Sequence, residues 1–372
     1  MPATQSAHQP ASSVSHTPSA PNPAQLGPTP FEPAELAIVL SHYDLGVIRS
    51  IAQFRRGSAA TPKLLVRADS GTFVLKRRAS GPDAPTQARF DHELQLRLSS
   101  AGFPLPQLVG TRSSKRSILE LSGRVYELFR FIDGSRFTGT PAQCAASGWA
   151  LALFHQMAAE VTTQQVRSTP SYHANPNTPA RLRALDATKL PGENPEKAVE
   201  LGRTLADLYE QAAARVEALG ISEWPKQTIH GDWHPGNMLY EGDRLAAVID
   251  YETARTDARC VDLASAALQT AMTTAPGKPP HEWPLELHLP RCKAILTGYE
   301  QCMQQRRSTL LSTAELQALP DLMVESLIAE AAAPIAATGR FGGHDASSVL
   351  QMVLGKTRWI LDNRERLAAI LD

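Results

Sequence analysis

The chain has 372 residues, 42% hydrophobic and 20% charged, the profile of an ordinary folded protein rather than a collagen-like, coiled-coil or wholly disordered one. Lys and Arg number 37, as do Asp and Glu, so the basic excess of a dedicated nucleic-acid binder or a polybasic membrane reader is missing. No run approaches the roughly 18 apolar residues of a membrane span, and Cys144, Cys260, Cys292 and Cys302 form no CxxC pair, which favours reduced thiols in a cytoplasm over a disulfide framework or a thiolate zinc site.

Residues 1–31 contain no Asp, Glu, Lys or Arg and are crowded with Pro, Ser, Thr and Ala. Such a stretch buries too little apolar surface to offset its ordering entropy, so a disordered tail is expected over 1–32. It has neither the basic start and apolar run of a secretory signal nor the arginines of a mitochondrial presequence. A helical pattern from Pro33 to about Asp44 precedes three strand signals, Val47–Phe54, Lys63–Ala68 and Thr72–Arg78. The turns between them, Arg55-Arg56-Gly57-Ser58 and Asp69-Ser70-Gly71, supply glycine where a positive φ is needed, and an antiparallel meander follows. Phe90, Leu94 and Leu98 then recur at helical spacing within Ala88–Ser100, which predicts a helix packed on the meander and stopped by Gly102.

Strands at Ser117–Leu121 and Arg124–Phe131, joined by Ser122-Gly123, complete a small β-rich unit ending at Asp133-Gly134. Beyond it the pattern is mainly helical, with helices expected over 142–160, 195–219, 260–272, 287–306, 313–337 and 346–370. Two polar, proline-containing stretches, roughly 161–194 and 273–286, read as loops. The expectation is an α+β, two-lobed architecture with a β-rich lobe over 33–134 and a larger helical lobe over 135–372.

The chemistry concentrates between Thr228 and Ala264. His230-Gly231-Asp232-Trp233-His234-Pro235-Gly236-Asn237 leads into Met238-Leu239-Tyr240, a turn at Glu241-Gly242-Asp243-Arg244, and a second strand, Leu245 to Ile249, ending at Asp250-Tyr251-Glu252. The ends of a hairpin lie side by side, so Asn237 and Asp250 return to one edge near Asp232. Mg²⁺ takes a few carboxylate or amide oxygens together with phosphate and water, which Asn237 and Asp250 offer. Asp232, just off such a metal, is placed to orient a hydroxyl and accept its proton.

The HGDxHxxN loop and the IDxE strand end strongly resemble the superfamily of aminoglycoside phosphotransferases, choline kinases and homoserine kinases, whose fold is similar to that of protein kinases. The likeness covers about residues 34–372. It implies an ATP- and Mg²⁺-dependent transfer of a phosphoryl group to a small-molecule hydroxyl. On that likeness Asp232 is the catalytic base, Asn237 and Asp250 are the magnesium ligands, and Glu252 is either a further metal contact or a structural cap. His230 and Asp262 brace the loop. Lys76 matches the lysine that reaches the α- and β-phosphates and Glu93 its ion-pair partner. Gly57 and Ser58 would cover the phosphates, and Arg130 to Ile132 would form the hinge that receives adenine. No GxGxxG is present.

Plainer roles compete. His230 and His234 have zinc-pair spacing, but Pro235 and Gly236 break any continuous helix there and no HExxH glutamate intervenes. Phe154-His155 reads as core, and Trp233 as either core or a wall of the acceptor pocket. The stretch from Asp250 to Asp262 is too short for the activation segment of a protein kinase and lacks Ala-Pro-Glu. A nucleotide-binding protein without turnover is the rival from another class. Arg340 or Arg358 would suit an acceptor carboxylate. Nothing in the sequence points to nucleic acid or membrane as partner, and it is silent on oligomeric state.

Overall fold

The computed structural model describes residues 30–54, 61–79, 81, 84–159 and 170–370. Gly57 and Ser58, with nearly all of the expected tail, lie outside them. Helix α1 (Pro33–Ser41) starts at a capping box in which Glu32 and Glu35 satisfy each other's backbone donors. Strands β1 (Ile48–Gln53), β2 (Lys63–Ala68), β3 (Gly71–Arg77), β4 (Ile118–Leu121) and β5 (Arg124–Arg130) form one five-stranded sheet, ordered β1-β2-β3-β5-β4. Every neighbouring pair is antiparallel. At the β4–β5 turn Ser122 and Gly123 both take positive φ, +49° and +73°, which suits the right-handed twist of a tight hairpin.

Val66, Phe73, Leu75, Tyr126 and Leu128 of the sheet bury a small core with Val39 and Leu40 of α1. Helix α2 (Ala84–Ser100) behaves differently from expectation. Its stripe of Phe90, Leu94 and Leu98 belongs to the large core of the helical lobe, beside Phe103 and Phe154. The side of α2 that meets the sheet is polar: Asp91 and His92 are buried against Arg78 and Glu127. The apolar period located the helix, but the sheet offers charged side chains at that contact and takes charged partners.

The helical lobe holds α3 (Pro141–Ala159), α4 (Asn177–Arg183), α5 (Pro195–Ala218), α6 (Arg259–Ala271), α7 (Leu289–Gln305), α8 (Thr313–Thr338), α9 (Ala346–Asp362) and α10 (Arg364–Ile370). Helices α3 and α7 cross with their backbones almost touching. A Cβ at Gly148 would stand 1.7 Å from the Ile295 carbonyl oxygen, and one at Gly298 2.0 Å from that of Ala145. Only glycine permits that approach.

Two expectations change here. Helix α4 lies within the stretch expected to be loop, and the last helix is broken at Asn363, whose side chain donates to the Trp359 carbonyl (2.9 Å) and competes with the helical ladder. The expected hairpin is present as β7 (Met238–Glu241) and β8 (Arg244–Val248), and flanking it are two strands that were not foreseen, β6 (Lys226–Ile229) and β9 (Arg255–Ala258), paired with each other. A ribbon of β10 (Arg340–Phe341) and β11 (His344–Asp345) joins α8 to α9.

Candidate active site

The loop between β6 and β7 is held from behind by one buried carboxylate. Asp262, in the first turn of α6, accepts from the backbone N–H of His230 (2.8 Å) and of Gly231 (2.9 Å). His155 of α3 adds Nε2 at 3.2 Å, and its Nδ1 is 2.9 Å from the Tyr299 hydroxyl on α7. Burial works to raise the Asp262 carboxyl, but His155 and His230 outweigh it, so the group stays a carboxylate. Gly231 turns the chain at φ +79°, and a Cβ there would lie 2.4 Å from the Thr253 carbonyl oxygen. His230 is fully buried and kept neutral by that burial, within ring contact of Phe154, Trp233 and Tyr251. Its Nδ1 accepts from the Asp232 N–H at 3.3 Å.

The loop and hairpin then deliver the polar side chains. Asn237 donates through Nδ2 to Asp232 Oδ2 at 2.9 Å and to the Asp232 carbonyl at 3.0 Å, turning its Oδ1 away from Asp232. The Ile249 N–H closes the hairpin end on the Asn237 carbonyl at 2.9 Å. Strand β8 stops at Val248, short of the expected strand end at Asp250, where the backbone turns left-handed with φ +68°. Lys76 Nζ lies 2.5 Å from Glu252 and 3.7 Å from Asp250. Burial alone would pull that ammonium down, but Glu127, Asp250 and Glu252 outweigh it and hold it above the ordinary lysine range. His234 Nε2 sits 3.4 Å from Asp232 Oδ2. Against the opposing pull of burial, this pairing raises His234 and lowers Asp232.

Lys76, Arg130, Ile132, Asp232, Asn237, Asp250 and Glu252 all line one cavity of about 830 Å³ between sheet and helical lobe, within the range of small-ligand sites. The N–H groups of Arg130 and Phe131 are already used by the Gln107 and Thr72 carbonyls, so any hinge donor must come from Ile132 onward. A larger recess of about 1660 Å³, lined by residues such as Arg97, Trp224 and Arg306, contains none of the loop carboxylates.

Glu93 is not brought to the site. It stands half-exposed on α2 and pairs with Arg97 at 2.8 Å, one turn along its own helix. The interior carboxylates are Asp91 and Glu127. Arg78 Nη1 meets Asp91 at 2.6 Å and its Nε meets Glu127 at 2.7 Å, while His92 Nε2 lies 2.5 Å from Glu127. Trp233 is core: it is fully buried, and its Nε1 donates to Ser147 at 3.0 Å. Neither Arg340 nor Arg358 lines the cavity.

Sequence reasoning missed Lys63, Arg78, Gln95 and Glu127, which also line the cavity, and Glu330 of α8. Desolvation of the Glu330 carboxyl and repulsion from Asp232 push it up to about 7, although the side chain keeps a solvent-accessible face; Gln269 and Ser326 hydrogen-bond it. The hairpin pattern flagged the loop, but nothing in a helical run marks which glutamate the fold turns toward it.

Among the described residues no three His, Cys, Asp or Glu side chains form a preformed metal cage. One amide and one carboxylate at the cavity edge instead fit a hard cation that keeps water and phosphate among its ligands, as Mg²⁺ does. A fully protein-built zinc site is not what these residues make.

A two-lobed, protein-kinase-like fold with such a loop defines a class, and sequence comparison agrees with it. The profile of the phosphotransferase enzyme family matches residues 50–283, and the chain belongs to that family. It is a small-molecule kinase. A homoserine kinase of Xanthobacter autotrophicus is 28% identical over 302 residues, covering 79% of this chain and 82% of that one. Among solved structures, a microcompartment-associated aminopropanol kinase shares the fold with a TM-score of 0.64 at 14% identity, over 91% of this chain and 99% of the other. An amicoumacin kinase solved in complex with AMP-PNP, Ca²⁺ and Ami does so with a TM-score of 0.59 at 12% identity, over 91% and 93%.

Proposed function

We propose that this kinase transfers the γ-phosphoryl group of ATP, with Mg²⁺, to the hydroxyl of a small amine-bearing alcohol, and that homoserine is the first acceptor to test. The observation that carries this reading is the convergence of Asp232, Asn237, Asp250 and Lys76 on one cavity. In it residues 33–134 form the nucleotide lobe and 135–372 the acceptor lobe, and the free, buried cysteines accord with a cytoplasmic setting.

Bound Mg²⁺ would neutralise charge on the transferring phosphates; the rest falls to the chain's own side chains. Asn237 and Asp250 are the groups placed to hold the ion, and Lys76 the one to hold the phosphates. Asp232 is held as a carboxylate by His234 and Asn237 and accepts the acceptor's hydroxyl proton at Oδ. Glu330 of α8 lies near enough to Asp232 to be repelled by it, and an ammonium on the acceptor would relieve that repulsion.

The test is ATP consumption with Mg²⁺ over homoserine, amino alcohols, choline, sugars and aminoglycosides. Turnover of one amine-bearing alcohol is expected; nucleotide binding with no turnover of any member would refute the reading. Asp232→Asn should lower kcat by about 10²–10⁴-fold while leaving nucleotide affinity unchanged, and an active Asp232→Asn enzyme would remove Asp232 from its role.

A further inference from the structure

The register of the sheet places three charged residues in one row across it. Lys63 of β2 lies directly opposite Lys76 of β3, and Lys76 directly opposite Glu127 of β5. Directly opposed residues share a face, and all three line the nucleotide cavity. Two lysines opposed in this way repel each other and weaken a sheet. A fold that sets them side by side, on the wall of a cavity also edged by Asp250 and Glu252, places more positive charge there than Lys76 alone requires.

Glu127 supplies the fixed end of the row. It is fully buried, its Oε1 is taken by Arg78 and His92, and its Oε2 has no hydrogen-bond partner among the described residues. Lys76 therefore has a permanent counter-charge on one side and a second ammonium on the other. Lys63 is half-buried and lines the same space, and its ammonium feels Lys76, Asp250 and Glu252 there, burial and Lys76 drawing it down. An ion that drew Asp250 toward itself would take one shared counter-charge from both ammonium groups and leave more of their charge to the anionic part of the ligand.

We infer that Lys63 is a second phosphate-binding cation, acting with Lys76 across the β2–β3 pair on the polyphosphate of the nucleotide. The inference rests on the proposed use of ATP and adds a residue to it. The role depends on phosphate charge, so its signature is selectivity among ligands rather than a general loss of binding.

Calorimetry on the full chain tests it with adenosine, MgADP and the magnesium complex of a non-hydrolysable ATP analogue. Lys63→Met should weaken both phosphorylated ligands by about 10–100-fold, the worth of a hydrogen bond to a charged group, and change adenosine affinity less than about twofold. Lys63→Arg should recover most of the loss. Unchanged MgADP affinity in Lys63→Met would overturn the inference, as would an equal loss for adenosine, which marks a distorted pocket. If Lys63→Met fails to fold, Lys63→Gln is read the same way, with adenosine binding reporting an intact pocket. A parent protein that binds adenosine and MgADP equally well, or neither, would overturn the underlying reading along with it.

Discussion

Asp232 and His234 lie 3.4 Å apart as an ion pair, and in the proposed mechanism the proton step turns on that pair. His234 is raised above its usual value of about 6.5, so its share of the pair's stability is present below that value and is lost as pH rises through the raised pKa. While His234 keeps its proton, Asp232 is the weaker base. We therefore expect kcat/KM to climb with pH through the titration of His234, and His234→Gln to abolish that climb. Superimposable pH–rate profiles for the two enzymes would exclude the coupling. The residues of this loop were legible because HGDxHxxN and IDxE are contiguous signals whose order fixes a hairpin. Glu93 was misplaced because its assignment needed the rotation of α2, and that rotation is set by Arg78 and Glu127 on the sheet rather than by the helix's own apolar stripe. Asp250 illustrates a related gap: its φ of +68° is imposed by the closing of the hairpin and leaves no trace in the local sequence.

At the level of elements, α1 is tied to the sheet through one carboxylate. Glu35 accepts from Tyr126 at 2.6 Å, from Arg77 at 2.7 and 2.9 Å, and from Arg124 at 3.0 Å. Burial would raise this group, but the hydrogen bonds from Tyr126 and Arg77 prevail and lower it to about 2. A depressed carboxyl stabilises the fold above its unfolded pKa, near 4.3, and that contribution disappears as pH falls toward about 2. Glu35→Gln should accordingly lower the melting temperature at pH 7 and have little effect near pH 2; an equal loss at both would show that shape rather than charge docks α1. The strands were readable because their turns carry the right residues, and β2 begins and ends where alternation and turns put it. The pairing of β6 with β9 was not, since each is four residues long and their partnership spans the whole candidate loop and hairpin.

For the whole molecule, two hydrophobic cores meet through α2, which donates its apolar stripe to the larger one and its acidic and histidine side chains to the sheet. The loop that carries Asp232 is held on the side of the larger core by Asp262, whose partner His155 bonds Tyr299. Composition showed that such a mass could fold, and the resemblance supplied the lobes, but the distance between lobes is a property of packing that no short motif encodes. Behind the loop, Asp262 leans on the crossing of α3 and α7, which carry His155 and Tyr299 respectively. A methyl group at Gly148 must push the two helices apart, since the Ile295 carbonyl already occupies its place. Gly148→Ala should lower kcat more than nucleotide affinity, and kinetics unchanged after this substitution would show that the helices move without dragging the loop. On that expectation the two glycines would make the crossing a remote throttle: turnover could be tuned or lost in the back of the protein while every atom that a ligand touches keeps its identity.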